Sequence, residues 1–336
     1  MKSNIINNSP LVCVRCMTFN HEAYIEDALN GFIIQQTTFP FVVAIINDAS
    51  TDKTKSVINE FIENNCIHNP EIDLRIEEYG TVLDVTVKDN PHCIFHIVHL
   101  NENHYGKKSK LPYFAKYENA AKYVAMCEGD DYWTDPLKLQ KQVDFLEANP
   151  EYSLCLTNSV VKFDDREVLA INHIWDTYTI EEVLKTNALN VNNRGDIIVP
   201  CGHTSTIFYK KPNKEYPHWI SRCFIGDEPL MIYLAHHGKV KFINEITSVY
   251  RAGVGVSSKN FNQELDWKNR IKMYEVINEG LGYQYKEIIN SIIAQFYFKL
   301  CKWNWKRNCK IEAIKFFLHT IKNDYRVMLK KIQNKI

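Results

Sequence analysis

Glu128, Asp130 and Asp131 put three carboxylates within four residues, directly after the apolar run at 122–127. Carboxylates this close repel one another unless a cation or ligand compensates them. An all-oxygen set selects hard ions such as Mg²⁺ or Mn²⁺. Such ions hold one or two protein carboxylates and take further ligands from substrate phosphates. The chemistry indicated is a metal–diphosphate site, although the same residues also suit a solvated acidic turn capping the helix that opens near Pro136. Two more polar runs follow apolar segments: Thr18-Phe19-Asn20-His21 and Asn47-Asp48-Ala49-Ser50. In open parallel sheets, ligands sit beyond the carboxyl ends of the strands, where such runs converge.

Other chemistries fit less well. There is no GxxxxGK[ST] loop and no GxGxxG after a strand, so any phosphate must be held by metal and by Lys or Arg. Asp48 to Asp52 opens like a calcium loop, but Lys53 replaces the turn glycine and Asn59 stands where the bidentate glutamate belongs. Cys13 and Cys16 form a CxxC inside an apolar run. On a strand, positions three apart face opposite sides, and no second pair exists, so zinc is not expected. Lys107, Lys108 and Lys110 could close over a diphosphate or form a solvated run, and the solvated run is the simpler reading.

These residues need a scaffold. Residues 11–17 and 41–46 are continuous apolar runs of the kind that form strands buried on both faces. Between them, Ile25, Leu29, Phe32 and Ile33 have helical spacing, and Val57, Ile58, Phe61 and Ile62 repeat it after the polar turn at 48–52. Residues 93–100 and 122–127 give two more strands, with a helix near 113–121 between them. Strands alternating with helices of this length predict an α/β fold with helices on both faces of a parallel sheet. Residues 66–92 break the alternation and suit an inserted hairpin. Thr134-Asp135-Pro136 predicts a helix with proline at its first position. Thr179 and Glu182 form a capping box, 206–209 a short strand after Cys201 to Ser205, and 227–236 a helix stopped by Gly238. From about residue 261 onward only helix is expected.

The chain has 336 residues, 45% hydrophobic and 24% charged, which excludes disordered and collagenous classes. No apolar run reaches the length of a membrane span, and residues 1–10 lack the apolar stretch of an export signal. Ten scattered cysteines then read as reduced thiols of a cytoplasmic protein. Net charge is zero, yet residues 299–336 hold eleven Lys/Arg against Glu312 and Asp324, a net +9, so the remainder carries −9. This tail interleaves Trp303, Trp305, Phe316 and Phe317, which suits peripheral contact with an anionic membrane face. Ile311, Ile314, Leu318 and Ile321 suit packing on the body equally well. Nothing in the pattern points to nucleic acid.

The three runs, with Pro10 to Asn20, Ile46 to Asp52 and Glu128 to Pro136 in this order, resemble the family 2 glycosyltransferases of the GT-A fold, common in bacterial surface-polysaccharide synthesis. The resemblance covers about residues 10–258. It implies a Rossmann-like GT-A domain over 1–258, with 259–336 as a basic helical C-terminal extension. Phe19 would lie along the nucleotide base and Asp48 would hydrogen-bond it, commonly as uracil. Asn47 departs from the first acid of the usual pair. Asp130 and Asp131 match the DXD region, which carries the metal (Mn²⁺ or Mg²⁺) and the diphosphate, with Glu128 replacing the leading Asp. The catalytic base falls on Asp227 in Gly226-Asp227-Glu228-Pro229. Read alone, Asp227 suits a helix N-cap equally well. Related chains often carry a His soon after the pair matching Tyr250-Arg251, and here residues 252–257 lack it.

The activity implied is metal-dependent, inverting, non-processive transfer of one hexose-type sugar. The donor is a nucleotide diphosphate sugar, most simply a UDP-sugar, and the acceptor is a hydroxyl of a glycan or lipid-linked molecule. Two alternatives differ in class. A catalytically degenerate nucleotide-sugar-binding protein is argued against by the retained acids, and a metal-dependent phosphotransferase by the missing phosphate loop.

Overall fold

The computed structural model describes residues 9–67, 69, 73–170, 176–187, 202–255 and 262–333. Expectations touching 256–261, Cys201 and 334–336, including the boundary at 258/259, lie outside the described residues. The chain forms two compact units. The first comprises Met1–Thr177, Gly202–Lys211 and Gly238–Gly255; the second comprises Tyr178–Cys201, Pro212–His237 and Val256–Ile336.

The first unit is built on β1 (Val12–Thr18), β2 (Phe41–Asn47), β6 (Cys93–Leu100) and β7 (Tyr123–Met126), ordered β7-β1-β2-β6 and parallel throughout. Each was legible as an apolar run because both faces are covered. Val12, Val14 and Cys16 join a core with α1 (Ile25–Ile33), α2 (Thr54–Asn65) and α4 (Lys138–Ala148). Cys13 faces the opposite core with Phe114 and Tyr117 of α3 (Leu111–Glu118), so the CxxC thiols are split by the sheet. Every fully buried Val, Leu, Ile or Phe contributes about 1.5–3 kcal/mol to holding the layers together.

Antiparallel strands flank this parallel centre. The segment 66–92 is a hairpin, β4 (Leu74–Glu77) and β5 (Gly80–Val87), with β5 pairing β6 and with the short β3 (Cys66–Ile67). On the other flank β12 (Phe208–Lys210) pairs both β7 and β9 (Tyr152–Lys162), while β13 (Lys239–Arg251) runs parallel to β9. Strand β8 (Tyr132–Trp133) pairs β13, and β10 (Glu167–Leu169) pairs β9. The remaining strand, β11 (Thr177–Tyr178), has two residues. Two local expectations shift. Helix α4 begins two residues after Pro136, because Asp135 Oδ1 accepts the Leu137 N–H at 2.9 Å and makes a turn there. The strand expected from Thr206 starts at Phe208, because Thr204–Thr206 form a 3₁₀ turn.

The second unit is helical among its described residues: α5 (Ile180–Asn187), α6 (His218–Ser221), α7 (Asp227–His237), α8 (Gln263–Gly280), α9 (Lys286–Lys306), α10 (Lys310–Asp324) and α11 (Arg326–Gln333). The capping box forms, with Glu182 Oε2 accepting the Thr179 N–H at 2.7 Å. Ile271, Tyr274 and Ile277 of α8 and Ile289, Ile293, Phe296 and Leu300 of α9 are buried. No helix among the described residues is long and apolar enough to cross a membrane.

One buried ion pair pins β1 to α3. Arg15 Nε donates to Glu118 Oε2 at 2.7 Å and Nη2 to Oε1 at 2.5 Å, in a bidentate fork with both side chains buried. Removing one partner leaves the other charge buried without its bidentate counter-ion. Glu118→Ala should therefore lower unfolding free energy by about 3–5 kcal/mol in chemical denaturation, whereas an exposed pair such as Lys122–Glu147 should change it by less than about 1 kcal/mol.

Candidate functional site

The three polar runs sit at the carboxyl ends of β1, β2 and β7. The first two are laced together. Asn20 adopts a left-handed φ of 57°, and its Oδ1 accepts the Thr51 N–H at 2.8 Å, while its own N–H donates to Ser50 Oγ at 2.9 Å. His21 N–H donates to Thr54 Oγ1 at 2.8 Å, and Glu22 and Lys53 exchange with the opposite loop through Asp52 Oδ2 and Glu22 Oε2. Phe19 is the half-buried residue between β1 and this lacing. Sequence reading missed Asn20 as a clamp. An Asn just after the end of an apolar strand, where a left-handed residue is tolerated, was the available signal.

Asp48 is buried, and both carboxylate oxygens are engaged. Oδ1 accepts the His104 N–H at 2.7 Å, and Oδ2 accepts from Lys110 Nζ at 2.8 Å. Lys110 is thus no member of a solvated run, contrary to the expectation for residues 107–110. A buried carboxylate draws a cation because burial disfavours its charge. Lys108 pairs with Glu102 instead. Asn47, the departure from the usual acid, is buried with its Oδ1 accepting from Ser50 Oγ at 2.6 Å and its Nδ2 3.0 Å from His99 Nδ1. Burial, aided by Lys55, lowers the His99 pKa to about 4, so at neutral pH its ring is uncharged and one nitrogen is available to accept from the amide.

The acidic run is bound to the end of β13. Arg251 N–H donates to Asp131 Oδ1 at 2.9 Å, and Arg251 Nη1 donates to the Asp130 carbonyl at 2.8 Å. The same guanidinium pairs with Asp27 of α1 and lies 4.5 Å from the Tyr132 ring centre. The Asp130 carboxylate is 3.7 Å from His21 Nε2, so the first and third runs meet here. Gly129 makes the approach possible, since a Cβ there would stand 2.7 Å from Thr18 Oγ1 and 2.9 Å from Ile25 Cδ1. Burial first, then the neighbouring Asp130, hold the Asp131 carboxyl well above the usual carboxylate range despite the Arg251 N–H. Glu128 adds to this, and its carbonyl accepts the Asp131 N–H at 3.1 Å. Among the described residues, no three His, Cys, Asp or Glu side chains are grouped closely enough to hold a metal ion unaided.

Within the second unit, Asp227 is the first residue of α7 and not the residue before it, and its Oδ1 accepts the Glu228 N–H at 2.8 Å. The adjacent Glu228 is buried, with Arg270 Nη1 at 2.9 Å and Tyr274 Oη at 2.5 Å. Burial raises its pKa against the pull of Arg270 and Tyr274. Its charge is already matched, which leaves Asp227 as the half-buried acid of this helix start.

The fold has solved counterparts. Crystal structures of S. aureus TarS residues 1–349 superpose with a TM-score of 0.54 at 14% identity for the UDP-GlcNAc complex, covering 92% of this chain and 79% of that one. A second TarS 1–349 structure gives a TM-score of 0.51 at 12% identity, covering 94% and 82%. The fold is GT-A-like. No family model matches the sequence. Uncharacterized proteins of Mycobacterium bovis and Mycobacterium tuberculosis are 36% identical over 151 residues, which is 44% of this chain and 35% of theirs. The chain thus spans about a third of the length of these curated relatives.

The ionisation of Asp131 has a stability consequence. Its carboxyl pKa is higher in the folded chain than in the unfolded one, so charging it disfavours folding. The cost is absent below the ordinary carboxylate range and complete once the pH passes the folded value. Asp131→Asn keeps an acceptor for the Arg251 N–H and cannot ionise. At neutral pH without ligand it should raise the thermal midpoint by about 2 °C or more, the shift for roughly 1 kcal/mol in a domain of this size, and the gain should vanish at acid pH.

Proposed function

We propose that this chain transfers a single hexose-type sugar from a nucleoside diphosphate sugar, most simply a UDP-sugar, to a hydroxyl of a glycan or lipid-linked acceptor, in the manner of family 2 enzymes of bacterial surface-polysaccharide synthesis. One observation carries the reading. On a GT-A-like fold, the buried acid Asp48 and the paired acids Asp130 and Asp131 stand beyond the carboxyl ends of β2 and β7, the two parallel strands that flank β1. UDP-GlcNAc is bound by a TarS structure of the same fold.

The residues take roles accordingly. Phe19 lies along the base and Asp48 accepts its N–H, with Lys110 yielding that carboxylate oxygen on binding. Asp130 and Asp131, flanked by Glu128, suit a divalent cation, Mn²⁺ or Mg²⁺. Their donor set is all oxygen, and the buried Asp131 carboxylate is charged only at a cost that a cation removes. Substrate diphosphate oxygens would supply further ligands to it. When bound, such a cation neutralises charge on the departing diphosphate. Asp227 accepts the proton of the acceptor hydroxyl as general base. The acceptor oxygen bonds to the anomeric carbon as the bond to the diphosphate oxygen breaks, and the diphosphate leaves with the electron pair. A single displacement of this kind inverts the anomeric configuration.

Screening nucleotide sugars with Mn²⁺ and Mg²⁺ by mass spectrometry tests the reading, and the absence of sugar release or transfer from every donor would reject it. Two outcomes are specific. UDP should raise the thermal midpoint only when Mn²⁺ is present, and Asp131→Asn should abolish that metal-dependent part; equal stabilisation in EDTA would remove the cation from the site. Asp227→Asn should lower turnover by about 10²-fold or more with nearly unchanged donor binding, as expected when a positioned base is lost. A near-normal rate would place the base elsewhere.

A further inference from the structure

The sequence left Ile311, Ile314, Leu318 and Ile321 equally suited to a core or to a lipid surface. In the structure they are exposed, Ile311 by 74% and Leu318 by 59%, and the series continues through exposed Tyr325 and Leu329. Their spacing of three and four residues draws a single stripe along α10 and into α11. Ala313 and Thr320, on another side of α10, are buried and anchor the helix to its unit. The stripe is therefore a second, outward apolar face and no part of that core.

The charge around it is one-sided. Lys302, Lys306, Arg307, Lys310, Lys315, Lys322 and Arg326 are all exposed. The two acids of the region are already matched, Glu312 by Lys315 at 2.7 Å and the buried Asp324 by Arg326 at 2.8 Å. On the helical wheel Lys310 borders one edge of the stripe, and Lys315 and Lys322 border the other. A 3–4 seam of this kind can also pair helices. Two copies of α10 joined along it would, however, set lysine against lysine at the edges. Fifteen residues rise about 22 Å, too short for a bilayer core, and Lys310, Glu312, Lys315 and Lys322 interrupt any apolar span.

We infer that α10 and the start of α11 lie in the plane of an anionic bilayer surface, with the isoleucine–leucine stripe in the headgroup boundary and the flanking lysines against lipid phosphates. This inference does not depend on the proposed transfer reaction, and its test reads no activity. The full chain is sedimented with vesicles of phosphatidylcholine alone and of phosphatidylcholine mixed with phosphatidylglycerol. Binding is expected only to the mixed vesicles, weakening as salt screens the lysines. The double variant Ile314→Glu, Leu318→Glu should lose at least about tenfold in partitioning. Lys310→Gln, Lys315→Gln and Lys322→Gln should each lose up to about fivefold. All five positions are exposed, so circular dichroism and the thermal midpoint should stay unchanged and separate lost docking from lost folding. A chain that stays in the supernatant with anionic vesicles at low salt overturns the inference. So does a double variant that binds like the parent. A parent dimer in analytical ultracentrifugation that Leu318→Glu splits, without vesicle binding, also overturns it and gives the stripe to a second copy.

Discussion

Two adjacent carboxylates held out of water impose the constraint around which the first unit is arranged. Asp130 and Asp131 stand just beyond the end of β7, both buried, and burial penalises the charge of Asp131. Much of the surrounding structure offsets that penalty. Arg251 gives its backbone N–H to one acid and its guanidinium to the carbonyl of the other, and His21 stands beside Asp130. Gly129 lets the acidic run approach β1 closely enough for this to happen. The Asp131 carboxyl is held in place, yet its charged form remains disfavoured.

The corner around Asp48 follows a related logic with the opposite outcome. Asp48 is also buried, but its charge is matched within the unit by Lys110 and by the His104 N–H. Asn47 beside it meets a histidine that burial keeps neutral. A second ionised acid at Asn47 would add another charge to a buried corner whose one nearby ring is uncharged, and the amide avoids this. One end of the site is thus electrostatically closed and the other open.

How much of this was legible depended on whether the signal was local. The parallel strands announced themselves because residues 11–17 and 41–46 are apolar on both faces, and the acids at their ends stood out by type and spacing. The strands β9 and β13 were missed, since polar runs such as Thr157-Asn158-Ser159 and Thr247-Ser248 interrupt their apolar residues and are buried against each other, as in the 2.7 Å bond between Thr157 and Thr247. Lys110 read as one of several lysines because its partner lies 62 residues away. The stripe on α10 had the right periodicity, but periodicity cannot say whether a face is covered. Only the packed structure does.

The position of Arg251 along the chain carries a further consequence. It reaches back 120 residues to Asp131 and 224 residues to Asp27. As a ribosome releases the chain from its N-terminus, β1, β2, β6 and β7 can assemble early, since their contacts are already present. The acidic pair then waits, without its arginine, until more than a hundred further residues have been made. Throughout that interval the nascent domain carries a carboxylate cluster that has His21 beside it and solvent around it, but not yet its arginine. Maturation of the site is therefore a late event of synthesis, set by when β13 emerges and not by when its acids do.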